Sequence, residues 1–288
     1  MSSSTAPRVF TTLPEGLEMP FHYASLSSLW LWFSADVERV APLVRHAPGV
    51  QLQAFGGRAL VAFNFQRYTS HHDTFLKTTT EVEINTVVAP AGPAEPAPSM
   101  DLDTWVHGGD ATRRLGQLRL HVPADNPFAV WAGQQLFGEP KFVADFRYRV
   151  PSLNARDARD YTMTVVERPG EDTPRDATPK VLCEARARLD GLAWRAAALS
   201  PVHKLAVLDG RTVATAWNLL GLSEAALIPA SERDRVTLTA GDASHAMRDD
   251  LASLHASLVP VAVQRFESAP VAVETRGWFV SAAEGVSR

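Results

Sequence analysis

With 288 residues, 45% of them hydrophobic, the chain can bury a full core and is expected to form a single domain over residues 1–288. A formal charge of -4, with acidic and basic residues interspersed, offers no field for nucleic acid or an anionic membrane, so a small molecule is the expected partner. The single cysteine, Cys183, excludes an internal disulfide and a cysteine-based zinc site, and it reads as a small buried hydrophobe.

Residues 1–14 lack a basic start followed by an apolar core, so no secretory signal is expected and the cytoplasm is the default compartment. No apolar run reaches the roughly 18 to 20 residues of a membrane span. Residues 25–33, with Trp30 and Trp32, read as a strand. Ser34, Ala35 and Asp36 then lead into a helix, on which Val37, Val40, Leu43 and Val44 recur at helical spacing until Pro48 and Gly49 stop it. Residues 50–55, 59–68 and 78–89 alternate or run apolar and suggest an antiparallel meander. A proline- and alanine-rich loop insertion near 89–100 has too little to bury to offset its ordering entropy.

Strands are expected over 103–106 and 117–122. Asn126 then offers a helix cap, Pro127 a first helical residue and Gly138 a stop. Further strands fall at 142–150, 161–167 and 180–189, followed by a helical insertion near 203–228. A short strand at 235–239 and a terminal pair at 259–263 and 271–275 complete the chain.

Several constellations carry little chemistry. His71, His72 and Asp73 are metal-ligand types, but adjacent side chains diverge and no further ligand has a recognisable spacing, so no metal is expected. Asp242, Ser244, His245 and His255 lack a nucleophile elbow and read as caps and surface residues. Trp30, Trp32 and Trp131 read as core or cavity wall, since basic interleaving is absent.

Asn126 and Pro127, the apolar run from Phe128 to Phe137, and Gly138, Glu139, Pro140 and Lys141 together resemble the segment leading to the imine-forming lysine of the acetoacetate decarboxylases. Phe21 and His22 with Ser34, Ala35 and Asp36 are similar to that family's first strand and helix, and residues 259–275 to its closing strands. The resemblance covers most of the chain. It implies an α+β, mainly β fold: a closed or partly closed antiparallel β-barrel or cone with peripheral helices and a central cavity. It further implies a Schiff-base-forming lyase of decarboxylase, aldolase or dehydratase type, acting without a cofactor on a keto acid or related small carbonyl compound. It also points to a homo-oligomer.

The resemblance assigns roles residue by residue. Lys141 is the imine former, and only its neutral amine attacks a carbonyl, whereas an unperturbed lysine has a pKa of about 10.4. The family carries a second lysine after the first, and Phe142 stands there in this chain. Desolvation by Phe137 and Phe142 is then the expected local route to a neutral amine. Glu81 falls on the family's cavity glutamate and is the expected acid or base. Glu83 shares its face, so the two are read either as a proton-shuttling pair or as water-facing carboxylates behind which Val82 and Ile84 pack.

Leu26 stands where the resemblance expects an arginine for the substrate carboxylate, and Asn64 where it expects a second glutamate. Arg119 and His121, two residues apart, are read as substitute cations or as an exposed polar face. Glu139 is read as a cavity acid or a solvated helix-end carboxylate. Glu83, Asn64, Arg119, His121, Leu26 and Phe142 are thus the expected substrate-binding set around Lys141 and Glu81. The charges missing at Phe142, Leu26 and Asn64 motivate a second reading, a binding protein that keeps the cavity for a hydrophobic ligand.

Overall fold

Fifteen strands join edge to edge in one mixed sheet in this computed structural model, which describes residues 11–71, 78–92, 99–109, 114–151, 160–170 and 178–268. The first half follows the expected order: β1 (Tyr23–Ala35), α1 (Val37–Val44), β2 (Val50–Leu52), β3 (Ala54–Phe55), β4 (Arg58–Ser70) and β5 (Thr78–Pro90). A helix, α2 (Leu102–Val106), replaces the strand expected at 103–106. Asp101 accepts the Thr104 N–H at 2.7 Å and so caps a helical turn there.

Next come β6 (Gly116–Ala124), α3 (Pro127–Phe137) and β7 (Lys141–Arg149). Parallel strands need a crossover, and α3 supplies it, setting Lys141 opposite Val122 on β6. The remaining elements are β8 (Asp160–Glu167), β9 (Val181–Arg188), β10 (Arg195–Ala197), β11 (Val202–Leu208), β12 (Arg211–Trp217), β13 (Ser223–Leu227), β14 (Val236–Ala240), α4 (Ala246–Leu254) and β15 (Val259–Glu267).

The helical insertion expected near 203–228 is a strand hairpin, β11 with β12, followed by β13. Asp209 and Gly210 take φ values of 50° and 70°, which suits the right-handed twist of a two-residue hairpin and overrides the helical composition of the flanks. Helix α4 was not expected, although Met247, Leu251 and Leu254 form its buried stripe at helical spacing. The strand expected at 271–275 lies outside the described residues, as do His72 and Asp73.

Across the sheet the order is β10-β13-β15-β1-β4-β5-β6-β7-β8-β9-β14, with β11 beside β6, β12 beyond it, β2 on β5 and β3 on β4. The closed or partly closed antiparallel barrel or cone that was expected is corrected in strand direction, and its closure is not seen among the described residues. Pairs β6 with β7 and β6 with β11 are parallel, and the path is open, since its ends β10 and β14 do not pair among the described residues. No helix among the described residues is long and apolar enough to cross a membrane.

Alternation along the central strands gives the sheet two faces of different character. Leu29, Leu31 and Phe33 of β1, Val61, Phe63 and Phe65 of β4, and Val82, Ile84 and Val88 of β5 form one apolar face. Helices α1 and α4 cover it with Val40, Val44, Met247, Leu251 and Leu254. Each such side chain, fully buried, contributes about 1.5–3 kcal/mol. Cys183 belongs to this core, and burial pushes its thiol up to about 12. The opposite face combines a second apolar cluster around Trp30, Trp32, Leu60 and Val87 with a row of buried polar side chains.

Candidate active site

The polar row follows from strand register. Gln66 opposes Glu81, Asn64 opposes Glu83, and Asn85 opposes Arg119, so residues at every second position of β4, β5 and β6 meet on one face. Lys141, first in β7, joins this face through its pairing with Val122. Glu139 arrives from the turn after α3, where Gly138 closes the helix at φ 64° and the Glu139 N–H donates to the Gly133 carbonyl at 3.0 Å.

Lys141 Nζ lies 2.7 Å from Glu81 Oε2 and 3.3 Å from Glu139 Oε2. The Tyr68 hydroxyl donates to the same Glu81 oxygen at 3.0 Å, and Gln66 Nε2 donates to Oε1 at 2.8 Å. Glu83 is held by Arg119 Nη1 at 2.5 Å, Asn64 Nδ2 at 2.6 Å and Asn85 Nδ2 at 3.2 Å. Lys204 Nζ, from β11, lies 3.0 Å from Glu139 Oε1, and Arg119 Nε lies 3.8 Å from that oxygen. Three carboxylates and three cations therefore share one buried network. Removing any one would leave an uncompensated buried charge, at a cost of about 3–5 kcal/mol.

Burial pushes the Glu81 carboxyl up, and Glu83 and Glu139 add to this against the opposing pull of Lys141. For Lys141, burial disfavours the ammonium, but Glu81, Tyr68 and Glu139 outweigh it and hold the group well above the ordinary lysine range. The expected depression by desolvation is thereby corrected: two carboxylates within hydrogen-bonding or ion-pairing distance dominate over burial. Glu139 would also rise on burial, yet Lys204, Lys141 and Arg119 hold it well below the usual carboxylate range.

Lys141, Glu81, Glu83, Asn64 and Arg119 thus come together; the alternative of water-facing carboxylates for Glu81 and Glu83, 3% and 1% exposed, is overturned, as is that of a solvated Glu139, 3% exposed. Glu81 and Glu83 do not pair with each other, because each has its own cation. Arg119, 1% exposed, holds Glu83 through Nη1, while its buried Nε and Nη2 have no hydrogen-bond partner among the described residues. Leu26 is buried in the second apolar cluster and lines a neighbouring cleft.

His121 and Phe142 lie elsewhere. The β5 register shifts between Ile84 and Asn85, so β6 carries one extra residue and His121 turns to the face of Ile84 while Arg119 stays on that of Asn85. There His121 Nε2 lies 2.7 Å from Asp250 Oδ2 of α4. Phe142, adjacent to Lys141 on a strand, points to the opposite face and packs on His245 at 4.4 Å between ring centroids. His245 itself accepts the Met247 N–H and caps α4. Trp131, expected in the core or cavity wall, is 39% exposed and stacks on Phe128 instead.

Gln66, Tyr68, Asn85, Tyr23 and Lys204 were not anticipated. Gln66 and Tyr68 share the Asn64 face by simple alternation, a signal present in the sequence. Lys204 carries no such signal, since it enters from a segment read as helix. Among the described residues no three metal-ligating side chains cluster as a metal site.

A cleft of about 440 Å³ adjoins the network, and Tyr23, Leu26, Phe137, Lys204, Trp217 and Phe266 are among the residues lining it. Lys141 is not in that lining but acts electrostatically on Tyr23, which is. The Tyr23 hydroxyl is pushed up by burial.

No family model and no curated protein matches the sequence. Among solved structures, the chain is similar to the enduracididine biosynthesis enzyme MppR complexed with pyruvate, at a TM-score of 0.53 and 14% identity over 88% of both chains. The same enzyme complexed with the condensation product of pyruvate and imidazole 4-carboxaldehyde gives 0.53 and 15%, covering 91% of this chain and 93% of that one. An acetoacetate decarboxylase-like enzyme from Sphingomonas wittichii RW1 is similar at 0.49 and 12%, over 84% and 86% of the two chains. The chain shares the fold of the enduracididine biosynthesis enzyme MppR at low sequence identity.

Proposed function

We propose that this protein is a lysine-imine lyase acting on a keto acid or related small carbonyl compound. The observation that carries the reading is the buried Lys141 amine, 2.7 Å from a carboxylate that burial biases toward its protonated form. Attack needs the neutral amine, which forms when the proton moves along that bond from Lys141 to Glu81, against the pull of Glu81, Tyr68 and Glu139 on the ammonium.

The neutral amine then attacks the carbonyl carbon, a C–N bond forms, and the carbonyl oxygen takes up the proton shed by nitrogen. Glu81 returns its proton to the departing hydroxyl, water leaves, and the protonated imine remains beside the carboxylates of Glu81 and Glu139. The electron pair released by loss of CO2, a proton or an aldol fragment flows into the imine and gives an enamine. Tyr68 and Gln66 hold Glu81 in place through this cycle. Pyruvate and its condensation product in the similar enzyme are carbonyl-derived ligands of the kind this chemistry uses.

Incubation with pyruvate or acetoacetate and borohydride is expected to add the reduced substrate to Lys141, detected by peptide mass spectrometry and absent in Lys141→Met. No adduct at Lys141 across several carbonyl compounds would sink the reading.

A further inference from the structure

The cleft beside the network has mostly apolar walls, supplied by Leu26, Phe137, Trp217, Leu219 and Phe266. Its volume of about 440 Å³ falls in the range of pockets that enclose ligands much larger than pyruvate. Among the described residues, Lys204 is the one lysine or arginine in its lining. The ammonium sits over the rings of Phe137 and Trp217, 5.7 and 5.3 Å from their centroids, and the side chain is 16% exposed. Its carboxylate partner among the described residues is Glu139, which satisfies only part of an ammonium's three-donor capacity.

Of the other two cations of the network, Lys141 pairs with Glu81 and Glu139, and Arg119 pairs with Glu83 through Nη1. Neither lines the cleft. An anionic group entering there therefore meets Lys204. Glu139 bridges Lys204 and Lys141, so a ligand anchored on Lys204 lies one carboxylate away from the reactive amine.

We propose that the cleft is the subsite for the non-reacting part of the substrate, with Lys204 binding a carboxylate and the apolar walls holding a ring or chain. The substrate class is then a keto acid with an apolar substituent. The word keto rests on the imine reading of Lys141, whereas the acid and apolar requirements rest on the cleft alone.

Calorimetry on the full chain separates the two. The ligand 4-phenylbutanoate has no carbonyl able to form an imine, and 4-phenylbutanamide is its uncharged counterpart. The acid is expected to bind about tenfold more tightly than the amide, as one charge-assisted contact implies, and Lys204→Met is expected to erase that preference. Thr215→Trp, which adds bulk to the cleft lining from β12, is expected to weaken both ligands and decides the matter if the Lys204 variant fails to fold. Equal affinity for acid and amide, a preference that survives Lys204→Met, or binding indifferent to Thr215→Trp would each overturn the subsite.

Borohydride trapping with 4-phenyl-2-oxobutanoate reports the chemistry independently. Lys204-dependent binding of the acid, with no adduct at Lys141 from this compound or from pyruvate and acetoacetate, rejects the lyase and keeps the subsite; an adduct without that dependence does the reverse.

Discussion

Glu139 faces Lys141, Lys204 and Arg119 at once, and this makes it the most informative single residue of the network. Its folded-state pKa lies below the roughly 4.3 of an unfolded glutamate, so its stabilising contribution is present above that pH and is lost as pH falls through the lower folded value. Urea unfolding followed from about pH 7 to about pH 2 should show an acid limb that Glu139→Gln flattens. Glu139 also helps to hold the Lys141 ammonium. Trapping by the natural protein should therefore rise with pH into the alkaline range, and in Glu139→Gln the rise should begin at lower pH. An unshifted profile would show that Glu139 does not govern the amine. In the sequence, Lys141 and Glu81 are marked as candidates by the family resemblance; a helix stop and a strand position alone do not single them out. The ionisation state of Lys141 was not legible: the neighbour that raises it most, Glu81, lies 60 residues away in the chain.

Helix α3 and its turn carry Lys141 to the site, and they pack closely enough to exclude a methyl group. A Cβ on Gly133 would lie 2.3 Å from Lys141 Cδ, 2.7 Å from Cε and 3.0 Å from Glu139 Oε2. Alanine is the better helix former by about 1 kcal/mol, but overpacking costs about 1–3 kcal/mol, and relief requires the lysine stem to move. Gly133→Ala is expected to keep the fold, lose a small amount of stability and slow adduct formation about 100-fold through misplacement of the amine. Unaltered trapping would show that the Lys141 position tolerates the displacement. The start and stop of α3 were readable from Asn126, Pro127 and Gly138, since capping is local chemistry. The hairpin of β11 and β12 was misread despite Asp209 and Gly210, because alanine and leucine suit a helix until neighbouring strands supply partners.

The two faces of the sheet assign stability and chemistry to different sides of the molecule. Leu254 of α4 is completely buried against the apolar face, remote from the ion network. Leu254→Ala should lower unfolding free energy by about 2–5 kcal/mol while leaving the half-saturating substrate concentration within about twofold, measured by urea unfolding and by trapping. A large change in trapping would mean the two faces are coupled. From sequence alone, periodicity and capping residues determined the mainly β character, the first helix and α3, while Lys141 and Glu81 were marked only through the family resemblance. The elements rest on interactions within a few residues or on strict alternation. The tertiary structure alone decided that Lys141 is ion-paired, that Lys204 belongs to the same network, and that His121 and Phe142 do not. Each of those depends on register, and a single extra residue in β6 is enough to send a side chain to the other face of the sheet.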